Sequence, residues 1–485
     1  MSDSGSRLAD NTIRRLNLLG EQYLNKERHE DALGFFWASA KLQFCYNQQY
    51  TDEQIEVKLS EISHKTGRTF EHQKDDDAVL FYDGFGADIR GLAYIYIKAL
   101  RKIGYRIIYI TCADKEEQQP GIIGILRQGK HKIYRVNNNG SKLDKTEELR
   151  KIFEEEPFTT AFFYTTPWDV AAVMAFNELQ GKCIRYQINL TDHAFWLGKY
   201  AFDYCLEFRP YGASVSEYYR KIGKERLILM PYYPIIDRKT PFRGFPFDAS
   251  GKKVIFSGGS LNKTIDTAGT YYHLVEHIVK KYDDTIFLYA GTGPTEEFER
   301  LIAAYPGRIY LIEERNDLLQ VLKHSRIYLN TYPISGGLMI QYAAAAKCVP
   351  VTLRRDWDED ACGILKDEEA LGEIFTDFEN VCREIERLIE DDEYWEKKRK
   401  LLEGQVQEEW EFENRLEKVL INPAGNIVSD VRKIDTTKFL LTYRENITPR
   451  DVAIWVFDKE CNLALMSLTF PRIALTRIRN KLLHK

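Results

Sequence analysis

The segment 326–353, RIYLNTYPISGGLMIQYAAAAKCVPVTL, restricts the fold of this chain more than any other stretch. The apolar runs Ile327–Leu329 and Val349–Leu353 are typical of buried parallel strands. Between them, the pair Gly336-Gly337 indicates a loop, and the Ala-rich run 338–346 predicts a helix. Glycines at the start of a helix let backbone N–H groups approach an anion, and the helix dipole favours negative charge there. The segment therefore predicts a βαβ unit whose loop either binds a pyrophosphate or only closes the helix onto its strand.

Length and composition indicate a multidomain globular protein. A chain of 485 residues is too long for one hydrophobic core, so two or three domains are expected. The net charge of −5 gives no reason to expect a nucleic-acid partner. The cysteines include no CxxC pair, which argues against a zinc cage or a disulfide framework and favours reduced thiols. The polar N-terminus lacks an apolar signal core, and no apolar run approaches the roughly 18 residues of a membrane span, so a cytoplasmic location is expected.

The N-terminal segment, residues 12–70, has a helical pattern that contains the spacing of one tetratricopeptide repeat (TPR). The residues that match this spacing are Leu16, Leu19, Gly20, Tyr23, Ala32 and Phe36. The small residues among them would allow two antiparallel helices to approach closely. Because a stable array needs about three repeats, we expect a helical hairpin packed on the next domain rather than a free-standing solenoid.

The next region has the opening pattern of a doubly wound parallel sheet. An apolar strand at 78–82 is followed by the glycine loop DGFGADIRG, a helical run at 92–103 and a second strand at 106–111. Ile89 occupies the place of the third glycine of a dinucleotide fingerprint, so a nicotinamide or flavin cofactor is only weakly indicated. Further strands are predicted at 160–164, 184–189, 203–208 and 226–230.

A proline-rich stretch, 231–247, separates this region from a second one with the same pattern. Its predicted strands lie at 253–256, 285–289, 309–312, 327–329 and 349–353. The glycine loops SGGSLNKT and AGTGP follow the first two of these strands. Two such units are expected to form a ligand cleft between the carboxyl ends of their sheets. We therefore predict four segments, which are a helical appendage at 1–74, Rossmann-like domains at 75–240 and 241–422, and a C-terminal appendage at 423–485.

Three segments together resemble the GT-B glycosyltransferases, with a tilt toward the O-GlcNAc transferase-like branch. They are FSGGSLNKT, FLYAGTGP, and NTYPISGG followed by AAAAKCVPVTL, the last of which resembles a donor-diphosphate loop and its following strand. The loop NLTDHAFWLG resembles one that faces the donor in bacterial cell-surface glycosyltransferases, and the TPR-like hairpin is similar to the O-GlcNAc transferase branch. The resemblance implies an α/β fold with two Rossmann-like, doubly wound parallel-sheet domains that face a cleft. The Glu of the usual E-x7-E arrangement is missing before the glycine pair, which leaves retaining and inverting outcomes open.

The resemblance implies donor-binding residues at the strand ends of the second unit. Lys263 would neutralise a diphosphate, and Glu313 and Glu314 would bind ribose hydroxyls; the alternative for Lys263 is an ordinary exposed lysine. The other predicted donor contacts are Gly259, Ser260, Gly291, Leu318, Tyr332, Ser335, Gly336, Gly337 and Leu338. Because such donors can replace a divalent ion, we predict no obligatory metal or cofactor, with a UDP-sugar as the favoured substrate. The run 75–77, three Asp residues, is interpreted as a solvated charge run.

His193, in the loop after strand 184–189, is the residue predicted at the reacting centre. It would act as a general base, or hold the donor's phosphate or sugar hydroxyls. The alternative is a loop histidine satisfied by Asp192 and Trp196. Asp88, in the first glycine loop, is a second catalytic candidate. The residues predicted on the acceptor side are Gly86, Arg90 and Trp196.

The sequence thus predicts a glycosyltransferase that moves a sugar from a nucleotide-diphosphate donor to a carbohydrate, glycolipid or protein acceptor. A nucleotide-sugar epimerase and a catalytically inactive GT-B subunit that stabilises a partner enzyme are the alternatives. Lys263 and the Gly336-Gly337 loop argue against the inactive subunit, because a scaffold needs no diphosphate site. The basic segment 472–485 predicts a surface helix, with a peripheral contact at the inner face of the membrane as its alternative.

Overall fold

The computed structural model describes residues 2–67, 70–88, 91–138, 140–359, 363–458, 463–475 and 477. Over this part of the chain there are two compact units, one made of Met1–Pro231 with Phe412–Lys485 and the other of Tyr232–Glu411. In sequence, the second unit is therefore inserted between the two parts of the first. The boundaries of the four segments stay a prediction.

The first unit begins with three helices and continues as an α/β sheet. Its helices before the insertion are α1 (Ser2–Leu24), α2 (His29–Tyr46), α3 (Glu53–Thr66), α4 (Leu92–Ile103), α5 (Pro120–Leu126), α6 (Lys142–Glu155), α7 (Val170–Asn177) and α8 (Pro210–Tyr218). Its strands are β1 (Ala78–Asp83), β2 (Arg106–Thr111), β3 (Lys132–Arg135), β4 (Thr160–Tyr164), β5 (Ile184–Asn189), β6 (Tyr204–Glu207) and β7 (Leu227–Leu229). Within the described residues these seven strands are parallel and lie in the order β3-β2-β1-β4-β5-β6-β7.

The central strands of this sheet are buried along their whole length. All six residues of β1, AVLFYD, are buried, which is typical of a parallel strand covered by helices on both faces. Aromatic rings form a row across the sheet, because Phe81 stacks on Phe162 with ring centres 5.8 Å apart and Phe162 stacks on Tyr186 at 5.3 Å. The continuous apolar runs that predicted these strands thus reflect burial on two faces.

The second unit repeats this architecture. Its strands are β8 (Lys253–Gly258), β9 (Thr285–Ala290), β10 (Ile309–Ile312), β11 (Ile327–Leu329), β12 (Val349–Leu353) and β13 (Ile374–Phe375). Its helices are α9 (Thr270–Lys281), α10 (Glu296–Ala304), α11 (Leu318–Lys323), α12 (Gly337–Ala345), α13 (Glu368–Leu371), α14 (Phe378–Glu390) and α15 (Asp392–Leu401). The strands found in the described part of this unit are parallel, in the order β10-β9-β8-β11-β12-β13. The α/β fold with two parallel sheets is confirmed, and so is the βαβ unit β11-α12-β12.

The N-terminal helices pack on the sheet domain of the first unit. Helices α1 and α2 form a hairpin in which Gly20 lies against the Phe36 ring, so close that a Cβ at Gly20 would stand 2.4 Å from a ring carbon. Helix α3 packs on α7, and Ser63 of α3 donates its hydroxyl to the Met174 carbonyl at 3.0 Å. The hairpin is therefore part of a larger core, as the single repeat in the sequence led us to expect.

The C-terminal part of the chain returns to these first helices. It contains α16 (Glu409–Ile421), α17 (Thr437–Asn446), α18 (Pro449–Val456) and α19 (Leu463–Thr469). Val452 and Val456 of α18 are fully buried in the same apolar core as α1 and α2. Over the ranges described, every helix is too short or too polar to cross a membrane. Of the predicted basic tail, residue 476 and residues 478–485 lie outside the described residues.

Candidate functional site

The loop between β11 and α12 is organised by one buried amide side chain, Asn330. Its Oδ1 accepts hydrogen bonds from the backbone N–H groups of Thr331 and Gly336, each at 2.9 Å, and from the Tyr328 hydroxyl at 3.2 Å. The Thr331 hydroxyl in turn donates to the Ile334 carbonyl at 2.6 Å. The predicted Gly336 N–H donor is thus engaged inside the loop, and Asn330 fixes the place where α12 begins.

The first turn of α12 presents backbone N–H groups that the helix itself cannot use. The N–H of Ile340 donates to the Gly336 carbonyl at 3.1 Å. The preceding N–H groups of Gly337, Leu338 and Met339 therefore have no intrahelical acceptor. Gly336 precedes the helix without a side-chain cap. Together with the partial positive charge of the helix dipole, this geometry suits an anion.

Lys263, which follows β8, contacts the same loop. Its Nζ lies 3.5 Å from the Ser335 carbonyl oxygen, and its own carbonyl accepts from the Ile334 N–H at 3.3 Å. Strands β8 and β11 are neighbours in the sheet, so their carboxyl ends bring together two residues that are 72 positions apart. An ammonium group and a helix N-terminus thus share one edge of the sheet.

The loops after β8 and β9 approach each other closely because glycines stand at the point of contact. The N–H of Gly259 donates to the Ala290 carbonyl at 3.0 Å. A Cβ at Gly291 would lie 1.9 Å from the Gly259 carbonyl oxygen, so any side chain there would push the β8 loop away. Gly259 itself has φ +129, which L residues rarely adopt. Both glycines therefore shape the loop that carries Ser260, which is exposed.

The other predicted donor residues lie at neighbouring positions of the second unit. Glu313 and Glu314 follow β10 and are exposed, and β9 lies between β10 and β8 in the sheet. Leu318 begins α11 and, like Tyr332, is half-buried. A nucleoside-binding role for these residues stays a prediction.

Asp88 caps a helix in the first unit. Its two carboxylate oxygens accept the N–H groups of Gly121 and Ile122 at the start of α5, each at 2.9 Å. Gly86 has φ +63, and a Cβ there would lie 2.9 Å from the backbone nitrogen of Ala113. Asp88 and Gly86 therefore each have a structural role in the first unit. The catalytic role of Asp88 and the acceptor-side role of Gly86 stay predictions. Arg90 lies outside the described residues.

His193 lies in the loop after β5 with 39% of its side chain exposed. Its Nδ1 is 3.3 Å from Oδ1 of Asp192, which is fully buried and also accepts from Nε of Arg209 at 2.6 Å. Burial alone would raise the pKa of Asp192, but the Arg209 guanidinium and His193 hold that pKa well below its usual range. An Asp192 that is ionised at neutral pH would accept the Nδ1–H of the ring and leave Nε2 as the basic nitrogen.

The backbone of this histidine loop is held by side chains from distant parts of the first unit. Asn47 ends α2 in the left-handed conformation, and its amide donates to the His193 carbonyl at 3.1 Å and accepts the Phe195 N–H at 3.0 Å. The buried Arg220 donates to the Ala194 carbonyl at 2.6 Å. The N-terminal helices are therefore part of the support of His193.

Trp196 is part of this loop and is buried in the core, with 2% of its surface exposed. Its ring packs against Phe202, and the Arg220 guanidinium carbon lies 4.7 Å from the ring centre. Its position explains how the loop is anchored, and the contact with an acceptor stays a prediction.

Glu56 of α3 stabilises the loop that carries His193 in a pH-dependent way. The buried carboxylate accepts the N–H groups of Gly198 and Lys199, at 2.7 Å and 3.2 Å. Burial raises the pKa of Glu56 from 4.5 to about 7. The carboxyl group of Glu56 therefore binds a proton more tightly in the folded protein than in the unfolded chain. As a result, the contribution of Glu56 to stability falls as the pH rises from the pKa of Glu56 in the unfolded chain to its pKa in the folded protein.

Replacing Glu56 with Gln is expected to remove this pH dependence. Gln keeps an oxygen for the N–H groups of Gly198 and Lys199 and has no proton to release. The free energy of unfolding is measured with denaturant at pH 5 and at pH 8. Between these two pH values the wild type should lose on the order of 2 kcal/mol more of this free energy than the Glu56→Gln variant does. If the free energy of unfolding instead changes equally with pH in the two proteins, Glu56 stays ionised in the folded protein.

The residues that organise both loops were not singled out in the sequence. They are Asn47, Asn330, Arg209 and Arg220. Asn330 carries a weak signal, because a polar residue directly follows the buried run Ile327–Leu329. Asn47 carries none, since its partners His193 and Phe195 lie 146 and 148 positions away.

Comparison with solved structures identifies the class of fold. No family model matches the sequence, and no curated protein matches it. The chain is similar to an O-GlcNAc transferase mutant from Thermobaculum terrenum, with a TM-score of 0.53, 14% identity, and coverage of 87% of this chain and 85% of that one. It is also similar to a glycosyltransferase from Rickettsia africae, with a TM-score of 0.54, 13% identity, and coverage of 72% and 99%.

A third similar structure is a putative UDP-N-acetylglucosamine 2-epimerase from Listeria monocytogenes, with a TM-score of 0.50, 13% identity, and coverage of 74% of this chain and 100% of that one. At these identities the likeness shows the fold, which is the GT-B fold that the sequence predicted. Proteins named as sugar transferases and a protein named as a putative epimerase share this fold, so the fold alone does not define the reaction.

Proposed function

We propose that this chain is a glycosyltransferase that takes a sugar from a nucleotide-diphosphate donor, with a UDP-sugar favoured. The proposal rests on the contact between Lys263 and the loop between β11 and α12, at Ser335, where α12 begins. There an ammonium group and the N–H groups of Gly337 and Leu338 would bind the two phosphates. The similarity in fold to a putative UDP-N-acetylglucosamine epimerase and to two sugar transferases supports the choice of donor.

The proposed reaction breaks the bond between the sugar's anomeric carbon and the donor's phosphate oxygen and forms a bond to an acceptor hydroxyl. Lys263 and the α12 N–H groups would stabilise the negative charge on the leaving diphosphate. Nε2 of His193 would take the proton from the acceptor hydroxyl, while Asp192 holds the ring and stabilises its charged form. The acceptor would be a carbohydrate, a glycolipid or a protein.

A thermal-shift screen tests the donor half of this proposal. The full-length protein is heated with UDP, GDP, CDP and their common sugars, each with and without magnesium. Because a ligand that binds only the folded state stabilises it by about 2.7 kcal/mol at 100 times its Kd, UDP is expected to raise the Tm equally with and without metal. No shift with any nucleotide would favour the inactive subunit, and a shift only with magnesium would contradict metal independence.

The epimerase is the second candidate, because the fold also matches the Listeria protein at a TM-score of 0.50. An epimerase converts its nucleotide sugar without an acceptor. Incubating the protein with UDP-N-acetylglucosamine alone and following the sugar's C2 proton by NMR separates the two reactions. We expect no conversion to the 2-epimer; its accumulation without an acceptor would establish the epimerase.

A further inference from the structure

An aromatic ring from the C-terminal part of the chain lies beside His193. Phe439, in the first turn of α17, is half-buried, and its ring centre is 6.4 Å from the centre of the His193 ring. The planes of the two rings are at 89°, so one ring presents its edge to the face of the other. Because both side chains are partly exposed, a ligand that reaches His193 from solvent also comes within reach of the Phe439 ring.

Two consecutive residues hold His193 and α17 next to each other. The side-chain amide of Asn47 donates to the His193 carbonyl at 3.1 Å, and that of Gln48 donates to the Leu440 carbonyl at 2.8 Å. Both residues directly follow α2, so the end of one helix fixes the histidine loop and α17 together. The approach of the Phe439 ring to His193 is thus built into the fold of the first unit.

Other contacts hold α17 independently of the Phe439 ring. Nη2 of Arg444 lies 3.0 Å from Oδ2 of Asp10 in α1. The hydroxyl of Tyr219 donates to the carbonyl of Ile434, which is buried shortly before α17 begins. A change at position 439 therefore leaves the main attachments of this helix in place.

The Phe439 ring is outside the apolar cores that surround it. In the described part of the chain its ring contacts are with His193 and with Tyr443, whose ring centre is 5.5 Å away. Leu440 packs against the small apolar cluster around Tyr50, whereas Phe439 belongs neither to this cluster nor to the core that α1, α2 and α18 share. Residues four positions apart lie on one face of a helix, so Phe439 and Tyr443 form an aromatic pair on α17.

The chemistry of this surface favours a sugar ring. The C–H face of a pyranose packs on an aromatic ring while its hydroxyls stay available for hydrogen bonds, and ligand sites commonly combine such apolar surfaces with a few polar groups. Extended peptides are bound mainly by the unpaired edge of a sheet, which a helix such as α17 does not provide. His193 lies at the carboxyl edge of its sheet, where open α/β sheets bind ligands, and it would supply the polar group.

We propose that Phe439 binds the sugar ring that carries the acceptor hydroxyl and so presents this hydroxyl to His193. The inference rests on the proposed function for its description of the sugar as an acceptor. It narrows the acceptor from a carbohydrate, a glycolipid or a protein to a molecule whose reacting hydroxyl is on a sugar ring. It also gives the C-terminal part of the chain a role in the site.

NMR of the full-length protein with isotopically labelled histidine tests this inference. The Cε1–H signal of His193 is identified by its absence in His193→Ala. The protein is titrated, with and without UDP, with the methyl glycosides of glucose, galactose and N-acetylglucosamine, with sorbitol and with a short serine peptide. We expect at least one methyl glycoside to shift the His193 signal saturably. Sorbitol and the peptide should not, because neither has the C–H face of a sugar ring.

The variant Phe439→Leu keeps an apolar side chain and removes the ring, and it should weaken binding of that glycoside by roughly 3- to 10-fold. Phe439→Tyr, which keeps the ring, should retain most of the binding. Leu441→Ala, at an exposed position of the same helix, is the control and should bind like the wild type. Thermal melting establishes that each variant is folded.

Two results would overturn the inference: no methyl glycoside shifts the His193 signal, or Phe439→Leu binds the glycoside as tightly as the wild type does. UDP binding is measured on the same samples to separate this inference from the proposed function. If UDP binds and the glycosides do not, the role of Phe439 is rejected and the donor proposal stands. If the glycosides bind through Phe439 and UDP does not, the protein has a saccharide site, and the proposed transfer is rejected together with the acceptor assignment.

Discussion

Replacing Lys263 with Met is expected to weaken UDP binding by roughly 10- to 150-fold. A hydrogen bond to a charged group contributes about 1.5–3 kcal/mol, and each 1.4 kcal/mol is a factor of ten in affinity. Met fills the space of the lysine stem, so the Lys263→Met variant tests the ammonium group rather than the packing. Calorimetric titration with UDP and with uridine measures the effect, and uridine, which has no phosphate, should bind both proteins equally.

The control for this variant is Lys280→Met, on an exposed position of α9 in the same unit. It changes the net charge by the same amount and should leave UDP affinity unchanged. If Lys263→Met also binds UDP like the wild type, Lys263 is an ordinary surface lysine and the diphosphate assignment fails. An equal loss in both variants would instead indicate a general effect of net charge.

Replacing His193 with Ala is expected to lower turnover by about 10²- to 10⁴-fold, the range typical of a lost general base. UDP affinity should be unchanged, because the diphosphate is assigned to Lys263 and α12. The measurement pairs sugar transfer, once an acceptor is identified, with calorimetric binding of UDP. His64→Ala, on an exposed position of α3, is the matched control and should keep full activity.

Three outcomes distinguish the roles of His193. Loss of turnover with unchanged donor binding supports the base. Loss of donor binding together with turnover would make His193 a donor ligand. Full activity would leave it a loop histidine held by Asp192, which is the plain structural interpretation. Asp192→Asn adds a check, since the amide cannot stabilise a charged ring and should also lower turnover.

Much of the fold could be predicted from the sequence because parallel strands buried on two faces leave continuous apolar runs. Ala78–Asp83 and Thr285–Ala290 are buried at every position, and no alternating pattern competes with them. The glycine loops were also visible, because Gly259 needs a backbone conformation that other residues rarely adopt. Local signals of this kind do not depend on the order of strands in the sheet.

The internal connections of each site could not be predicted in the same way. Lys263 contacts Ser335 only because β8 and β11 are neighbours in the sheet. No local sequence pattern predicts this strand order. Asp88 was a catalytic candidate on the basis of its loop, but its partners at the start of α5 come 33 and 34 residues later. A polar residue in a glycine loop has the same appearance in sequence whether it caps a helix or contacts a ligand.

The insertion of Tyr232–Glu411 within the first unit has a consequence for how the protein is made. Helices α1 and α2 leave the ribosome before the inserted unit, yet the apolar core they share with α18 is completed only after the whole inserted unit has been translated. At roughly 5–20 residues per second, translation of the inserted unit alone takes on the order of 10–40 s. The inserted unit can fold as it emerges, while the faces of α1 and α2 that pack on α18 stay uncovered until α18 has been translated. Chaperone demand during synthesis should therefore fall on α1 and α2 rather than on the inserted unit.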